Sequence, residues 1–381
     1  MTRNDAAAAL GQRLQEAVLA PMKRRFVGKD QIIDLMGVCL AAGENLFLLG
    51  PPGTAKSALV HELGRRIEGR TFDYLLTRFT EPNELFGPFD IRRLKEGELV
   101  TNTEGMLPEA DLVFLDELLN ANSAILNSLL MALNERVFRR GRETRALPML
   151  MAIGASNRLP EEEALRALFD RFLARVHCGN VAEARLGEVL DAGWRLAGAA
   201  PEPPALRAAE IRAFGALLPQ VDLTAARSDY LDLIGKLRRA GVPISDRRAV
   251  KLQRLVAGSA LLCGRLHALP SDCWVLAHTW DTEEQQEVIA ALLQPLLERS
   301  AGDAPAHPQA RGAAGAPDPE ELAQGLAALA AAIDAEPDAA ALGGLAERLG
   351  LLAGRCQWVT AELPRGALLA QVAALWPRVR A

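Results

Sequence analysis

The sequence predicts an α/β fold: a doubly wound parallel sheet followed by an all-helical region. Three observations carry this. Between about residues 30 and 180, five short apolar runs alternate with helical patterns. A Gly-rich loop follows the first run directly, and beyond residue 181 the strand signal stops. The runs are NLFLLG at 45–50, FDYLLT at 72–77, DLVFLD at 111–116, LMAIGAS at 150–156 and FLARVH at 172–177. Each is continuous rather than alternating, the pattern of strands covered by helices on both faces. Five such strands with helices between them make a five-stranded parallel sheet. In the long stretch between the second and third runs, residues 91–94 and 98–101 read as a hairpin around Lys95, Glu96 and Gly97.

The segments LGEVLDAGWRL, AAEIRAFGALL, SDYLDLIGKLRRA, RRAVKLQRLVAGSALL and EEQQEVIAALLQPLL all carry helical spacing, as expected of a small helical domain. Residues 301–318 are rich in Ala, Pro and Gly and read as a flexible linker. Residues 319–381 return to Ala- and Leu-rich helical patterns, a packing or docking module in the simplest reading. The expected division is therefore 1–180 for the α/β core, 181–300 for the helical domain, 301–318 for the linker and 319–381 for the C-terminal segment.

The chain has 381 residues, 50% hydrophobic and 24% charged, which is a globular composition with length for two or three cores. A net charge of −5 gives no global basic field for nucleic acid. Five widely spaced cysteines without a C-x-x-C pair exclude a disulfide framework and point to a reducing compartment. Five histidines without an H-x-x-x-H pair offer no protein-ligated metal centre. The N-terminus reads as an amphipathic helix rather than a signal peptide, and no run reaches the ~18 apolar residues of a membrane span. The expected location is cytoplasmic.

The chemistry concentrates in three places. Gly50-Pro51-Pro52-Gly53-Thr54-Ala55-Lys56-Ser57 follows a buried strand and opens a helical pattern. A loop so placed turns backbone N–H groups and a helix N-terminus toward a polyphosphate. Lys56 would reach the β- and γ-phosphates, and the Ser57 hydroxyl would ligate Mg²⁺. Ala55 stands where the strict motif has its second Gly, which the loop tolerates if φ there is negative. In the second place, four apolar residues run into Asp116 and Glu117. Neighbouring side chains on a strand face opposite ways, so Asp116 can serve the Mg²⁺ shell and Glu117 the attacking water. A solvated acidic pair is the alternative. In the third, Gly154-Ala155-Ser156-Asn157 ends the next run, where the Asn157 side chain could hold the lytic water or touch the γ-phosphate.

In order, GPPGTAKS, TRFTEPNELFGPFDI, LPEADLVFLDEL, AILNSLLMALNERVF, GASN, LFDRF and ISDRR resemble MoxR-type AAA+ ATPases, and within them the RavA-like subgroup. The resemblance covers about residues 10 to 290 and is most specific from Leu107 to Asn157; set against it, the large C-terminal region of the RavA proteins is expected to be missing or much reduced. It implies an AAA+ P-loop core with a helical lid, and ATP and Mg²⁺ as cofactors. It matches Arg171 of LFDRF to the arginine finger that acts on a neighbour's ATP. It matches Arg247 of ISDRR to the sensor-2 arginine that ties the lid to the nucleotide, with adjacent Arg248 as the alternative. Val27 and Gly28 match the segment lining the adenine pocket. Phosphoryl transfer then runs by positioning and charge: Lys56 and Mg²⁺ neutralise phosphate, Glu117 deprotonates water, and Arg171 completes the site. The resemblance further implies a homo-oligomeric ring, a hexamer in the family, which remodels a partner carrying a von Willebrand A domain. Two other readings stay open. Arg139, Arg140, Arg142 and Arg145 on a hairpin at 137–142 could grip nucleic acid, or the chain could be a nucleotide-gated scaffold with little turnover.

Overall fold

The computed structural model describes residues 3–140, 143–197, 202–300, 306–312, 319–334 and, further on, 345–346, 348–350, 352–353, 356 and 362–379. All five apolar runs are strands: β1 (Leu46–Leu49), β2 (Thr71–Leu75), β3 (Leu112–Asp116), β4 (Met151–Ser156) and β5 (Ala174–His177). They form one parallel sheet in the order β2-β3-β4-β1-β5. Every residue of β1 and β4 is buried, because these strands lie inside the sheet with helices on both faces. β2 departs from this pattern. It is an edge strand whose side chains alternate, with Phe72 buried and Asp73 and Leu75 exposed. The order of the strands brings the C-terminal ends of β1, β3 and β4 side by side, the place where open α/β sheets bind ligands.

Five helices position the residues discussed below: α1 (Asp30–Ala42), α2 (Lys56–Arg66), α3 (Ser123–Glu135), α4 (Glu163–Phe169) and α5 (Asp246–Leu262). α1 enters β1 through Gly43, whose φ of 65° ends the helix as only a residue tolerant of the left-handed region readily can. α3 begins where the Asn122 side chain accepts from the Ala124 and Ile125 N–H groups. α5 begins where the Ser245 hydroxyl accepts from Arg248 N–H. α5 lies along α1. A Cβ added at Gly258 would stand 3.0 Å from the Val38 carbonyl, so the small residue sets how closely the helices approach. One hydrophobic cluster joins the sheet, its helices and the helical region as far as Ala310, while Leu322, Leu326, Leu349, Leu352 and Leu375 belong to a second cluster.

Two expectations are corrected. Residues 91–94 are not a strand: Ile91–Lys95 is a short helix, because the Asp90 carboxylate accepts from the Arg92 and Arg93 N–H groups and nucleates the turn. A single antiparallel bridge between Phe89 and Thr101 remains of the hairpin. The 301–318 segment is described only at 306–312, and there it is docked rather than free. His307 is buried and stacks on Trp274 with ring centroids 4.8 Å apart, and Gln309 donates to Asp34 at 2.8 Å. Residues 301–305 and 313–318 lie outside the described residues. The hairpin at 137–142 is found as Val137–Arg140 paired with Glu143–Ala146; Gly141 and Arg142 lie outside the described residues.

Candidate functional site

β1 runs into Gly50, and the loop 50–57 leads into α2. Its entrance is clamped between neighbouring strands: Gly50 N–H donates to Ser156 O at 3.0 Å, and Cys178 N–H donates to Leu49 O at 2.6 Å. A Cβ at Gly50 would collide with the Cys178 carbonyl, so the position admits only glycine. Gly53 has φ +83° with open space around it. Inside the loop, the Thr54 hydroxyl donates to Pro51 O at 2.9 Å and the Cys178 thiol to Thr54 O at 3.2 Å. Pro51, Pro52 and Gly53 form the exposed rim. Ala55 caps α2 with φ +69°. The expected negative φ is thus corrected: the loop needs its left-handed turn here, and alanine adopts it against its own steric preference.

Lys56 is buried and its ammonium donates to the Gly50 and Pro51 carbonyls at 2.7 and 2.9 Å, which folds it back over the loop. Ser57 Oγ lies 3.2 Å from Asp116 Oδ2, joining the first turn of α2 to the end of β3. The other oxygen, Asp116 Oδ1, accepts from Glu117 N–H at 3.0 Å. Glu117 is not aimed by strand alternation, as expected, but by a left-handed backbone with φ +49° that ends β3. Half-buried, its carboxyl is pushed above the usual range, first by loss of water and then by Asp116; Lys56 and Arg158 pull it back. It opens on a groove of about 560 Å³ that also borders Leu76, Thr77, Arg78, Phe79 and Asn120. Asn157 is exposed one residue past β4, next in register to the loop entrance at Gly50.

The residues present suit a polyphosphate and a magnesium ion. The loop offers a Cβ-free approach at Gly53, a helix N-terminus and a lysine. Ser57 and Asp116 supply oxygen donors of the hard kind that Mg²⁺ takes. Val27 and Gly28 lead into Lys29, and this stretch packs on the segment that follows Cys178: Gly28 has φ +69°, a Cβ there would touch Val181 at 3.4 Å, and buried Lys29 donates to Gly179 O.

Arg171 and Arg247 are elsewhere. Asn45, at the start of β1, donates to Arg171 O at 3.1 Å and to Leu133 O at 3.3 Å. Arg247 donates to Asn134 on the last turn of α3. Both arginines therefore lie at the N-terminal end of β1, while the loop lies at its C-terminal end, ~15 Å away along the strand at about 3.3 Å per residue. The expected tie between Arg247 and the nucleotide of its own chain is corrected by this placement. Arg248 is excluded from such a role by its own partners. It is buried and donates to both Asp281 oxygens, at 3.1 and 2.8 Å, and to Thr279 O.

The family model described as the MoxR domain of MoxR-vWA-beta-propeller ternary systems matches residues 12–215, and a model for an AAA lid domain matches residues 229–293. The chain belongs to the MoxR family of AAA+ ATPases. Two uncharacterised Methanocaldococcus jannaschii proteins, MJ0812 and MJ0079, are each 34% identical to this MoxR chain. The first match spans 71% of this chain and 72% of MJ0812, the second 73% of each. The chaperone MoxR1 of Mycobacterium tuberculosis is 27% identical over 43% of this chain and 44% of its own length. A crystal structure from Cytophaga hutchinsonii, of a protein put forward as an ATPase, superposes with a TM-score of 0.62. At 18% identity, over 76% of this chain and 96% of that one, it shows a shared fold.

Sequence reasoning missed three features of this MoxR site. The charge of Arg158 reaches Glu117 and pulls its pKa down, but a lone Arg after GASN carries no signal of its own. Arg78 and Phe79, the latter 90% exposed, edge the Glu117 groove; an exposed aromatic between two Thr was a signal that could have been read. Arg175 is fully buried inside a strand that reads as apolar. The hairpin arginines among the described residues, conversely, are engaged within the chain. Arg140 donates to Gly87 O at 2.6 Å and covers the Phe89 ring, Arg145 donates to Thr103 at 2.9 Å, and Arg139 pairs with Glu135 at 3.6 Å.

Proposed function

We propose that this MoxR protein hydrolyses Mg-ATP as a ring of identical subunits, a hexamer, and uses the cycle to remodel a partner carrying a von Willebrand A domain. The observation that carries the hydrolytic reading is the meeting of Ser57 with Asp116 at 3.2 Å, with Glu117 turned out of the strand beside them. Gly50 to Ser57 cradle the phosphates, and Lys56 leaves its loop carbonyls for the β- and γ-phosphate oxygens. Ser57 and Asp116 would hold the magnesium ion, which supplies charge neutralisation on the transferring phosphoryl group. Glu117 takes the proton of the attacking water, and Asn157 orients that water from the end of β4. Val27 and Gly28 border the base. Arg171 and Arg247, on the far end of the sheet, complete the site of a neighbouring subunit. An arginine placed in trans contributes roughly 10³–10⁵ in rate in phosphoryl transfer.

The core at 1–180, the lid at 181–300 and the C-terminal segment at 319–381 are the working division. The von Willebrand A partner is supported by the systems named for the matching family. Within the family the motifs from GPPGTAKS to ISDRR look closest to the RavA-like subgroup. No described helix is long and apolar enough to cross a membrane, and the working location is cytoplasmic.

Steady-state ATP hydrolysis by the wild type, Glu117→Gln and Arg171→Ala, alone and mixed over a range of protein concentrations, tests this reading. Both variants should be inactive alone, their mixture should recover turnover, and wild-type specific activity should rise with concentration. A wild type indifferent to both substitutions refutes a shared site.

A further inference from the structure

At the N-terminal end of the sheet the chain gathers more positive charge than it balances. Arg136, Arg171, Arg247, Lys251 and Arg254 converge there, and two carboxylates, Glu44 and Asp170, pair with them. Five cations against two anions leave three positive charges. Two donors among these guanidinium groups, Arg136 Nη1 and Arg171 Nε, are buried with no hydrogen-bond partner among the described residues. A cluster so charged and under-satisfied is built to meet an anion from outside the chain.

The five cations are not equivalent. Arg254 Nε holds Glu44 at 2.7 Å and its Nη2 donates to Ala42 O at 2.7 Å. Arg136 donates to Asn45 at 2.8 Å and to Gly43 O at 3.2 Å. Lys251 stands 3.9 Å from Glu44, outside hydrogen-bond reach, with its side chain 31% exposed. It follows Arg247 by four residues on α5, which puts both on one helix face, and it feels the charges of Arg247 and Arg171.

We propose that Lys251 is a third cation donated in trans, its ammonium touching the terminal phosphates of a nucleoside triphosphate held by the loop of a second copy of this chain. The inference rests on the shared-site reading above and adds a residue to it. A lysine ammonium is a compact charge on a flexible stem and can follow a phosphate that moves as it leaves, where a guanidinium fork is fixed by its geometry. Holding Glu44 is the competing role, and Arg254 already fills it with a direct contact.

The test uses the full chain with Lys251→Ala, Lys251→Met, which keeps the apolar stem, and Lys251→Arg. ATP is the probe. Turnover of the Ala and Met variants should fall at least tenfold, with ATP affinity and thermal midpoint near wild type, and Lys251→Arg should recover most of it. Mixed with Glu117→Gln, Lys251→Met should regain turnover. Mixed with Arg171→Ala it should not, because every interface then lacks one of the two cations. Lys251→Met activity within twofold of wild type overturns the inference, as does rescue by Arg171→Ala. If those results come while Glu117→Gln and Arg171→Ala still complement each other, the shared site stands and Lys251 alone is dismissed. Failure of that reference pair removes both.

Discussion

The side-chain amide of Asn45 donates to the main-chain carbonyl of Arg171 at 3.1 Å, fixing that arginine's backbone to the last residue before β1. Asn45 is 2% exposed and every polar group on it is used: its amide also serves Leu133 O, and its oxygen accepts from Arg136 and from Ala152 N–H. The strand that runs into the loop 50–57 is thus preceded directly by the residue holding Arg171. On the proposed reading, β1 connects the nucleotide end of a subunit to the end that meets its neighbour.

Asn45→Ala removes one side chain and strands four partners. A buried group left without its hydrogen bond costs about 1–3 kcal/mol, and partial relaxation keeps the sum below simple addition. The expected loss is about 3 kcal/mol of unfolding free energy, read from the urea midpoint. Turnover should fall several-fold while ATP affinity, set at the other end of β1, changes little. Equal losses in affinity and turnover would mean that the strand transmits no separate effect to Arg171.

Ala55 carries a strain that Ala→Gly should release. Its φ of +69° costs an L-residue roughly 1–2 kcal/mol, whereas glycine takes that conformation freely. Glycine also gives the unfolded chain more freedom, which costs about 0.4–1 kcal/mol. The difference predicts that Ala55→Gly stabilises by up to about 1.5 kcal/mol with ATP binding intact. Ala55→Val, β-branched at positive φ, should destabilise and weaken binding. Paired chemical denaturation curves decide the sign.

Much of this architecture was legible in the sequence, and the reasons are local. The inner strands β1, β3 and β4 showed as continuous apolar runs because helices cover both faces of the sheet there, and the loop 50–57 showed because glycine and lysine spacing is dictated by phosphate geometry. What escaped reading depends on contacts between distant residues. The helix at Ile91–Lys95 hangs on one carboxylate cap, which is invisible to a strand-length apolar count. His307 lies in an Ala- and Pro-rich stretch that looks free until Trp274 is seen beneath it. The turn that aims Glu117 is a single left-handed residue, and glutamate gives no hint of it. That Arg247 lies at the far end of the sheet follows from how α5 packs on α1, a tertiary fact that no motif records.

Arg158 should tune the pH dependence of hydrolysis through Glu117. On the proposed reading Glu117 works as a base only when ionised, so turnover should fall as pH drops through its pKa. Burial and Asp116 raise that pKa; Lys56 and Arg158 lower it. Arg158→Ala removes a lowering influence, so the acid limb of the rate profile should move to higher pH. Arg158→Lys should leave it nearly in place. Rate at saturating ATP, followed across the acid range, reports the shift. An unmoved limb would show that Glu117 is screened from Arg158 in the working enzyme.

Asp281 holds two buried arginines at once, and losing it should cost more than any other single surface-linked carboxylate. Arg175, fully buried in β5, and Arg248, 5% exposed on α5, both donate to its oxygens. Burial drives the Arg175 pKa down to about 9, the mark of a cation poorly supplied with water, and neighbouring Arg248 drives it the same way; Asp281 works against both. Arg175 keeps the Trp280 carbonyl at 2.6 Å and the Phe169 ring at 4.1 Å, but neither carries a formal negative charge. Truncating one partner of a buried pair typically costs 3–5 kcal/mol because the remaining charge is left uncompensated. Asp281→Ala leaves two, so unfolding free energy should fall by about 4 kcal/mol or more in chemical denaturation. Because the carboxylate joins β5 to α5, the same substitution should also loosen the lid against the core. Hydrogen exchange should then rise first in α5 while the amides of β1 and β4 stay protected. Uniform loss of protection across all three would instead make Asp281 a support of the whole fold, with no special part in seating the lid.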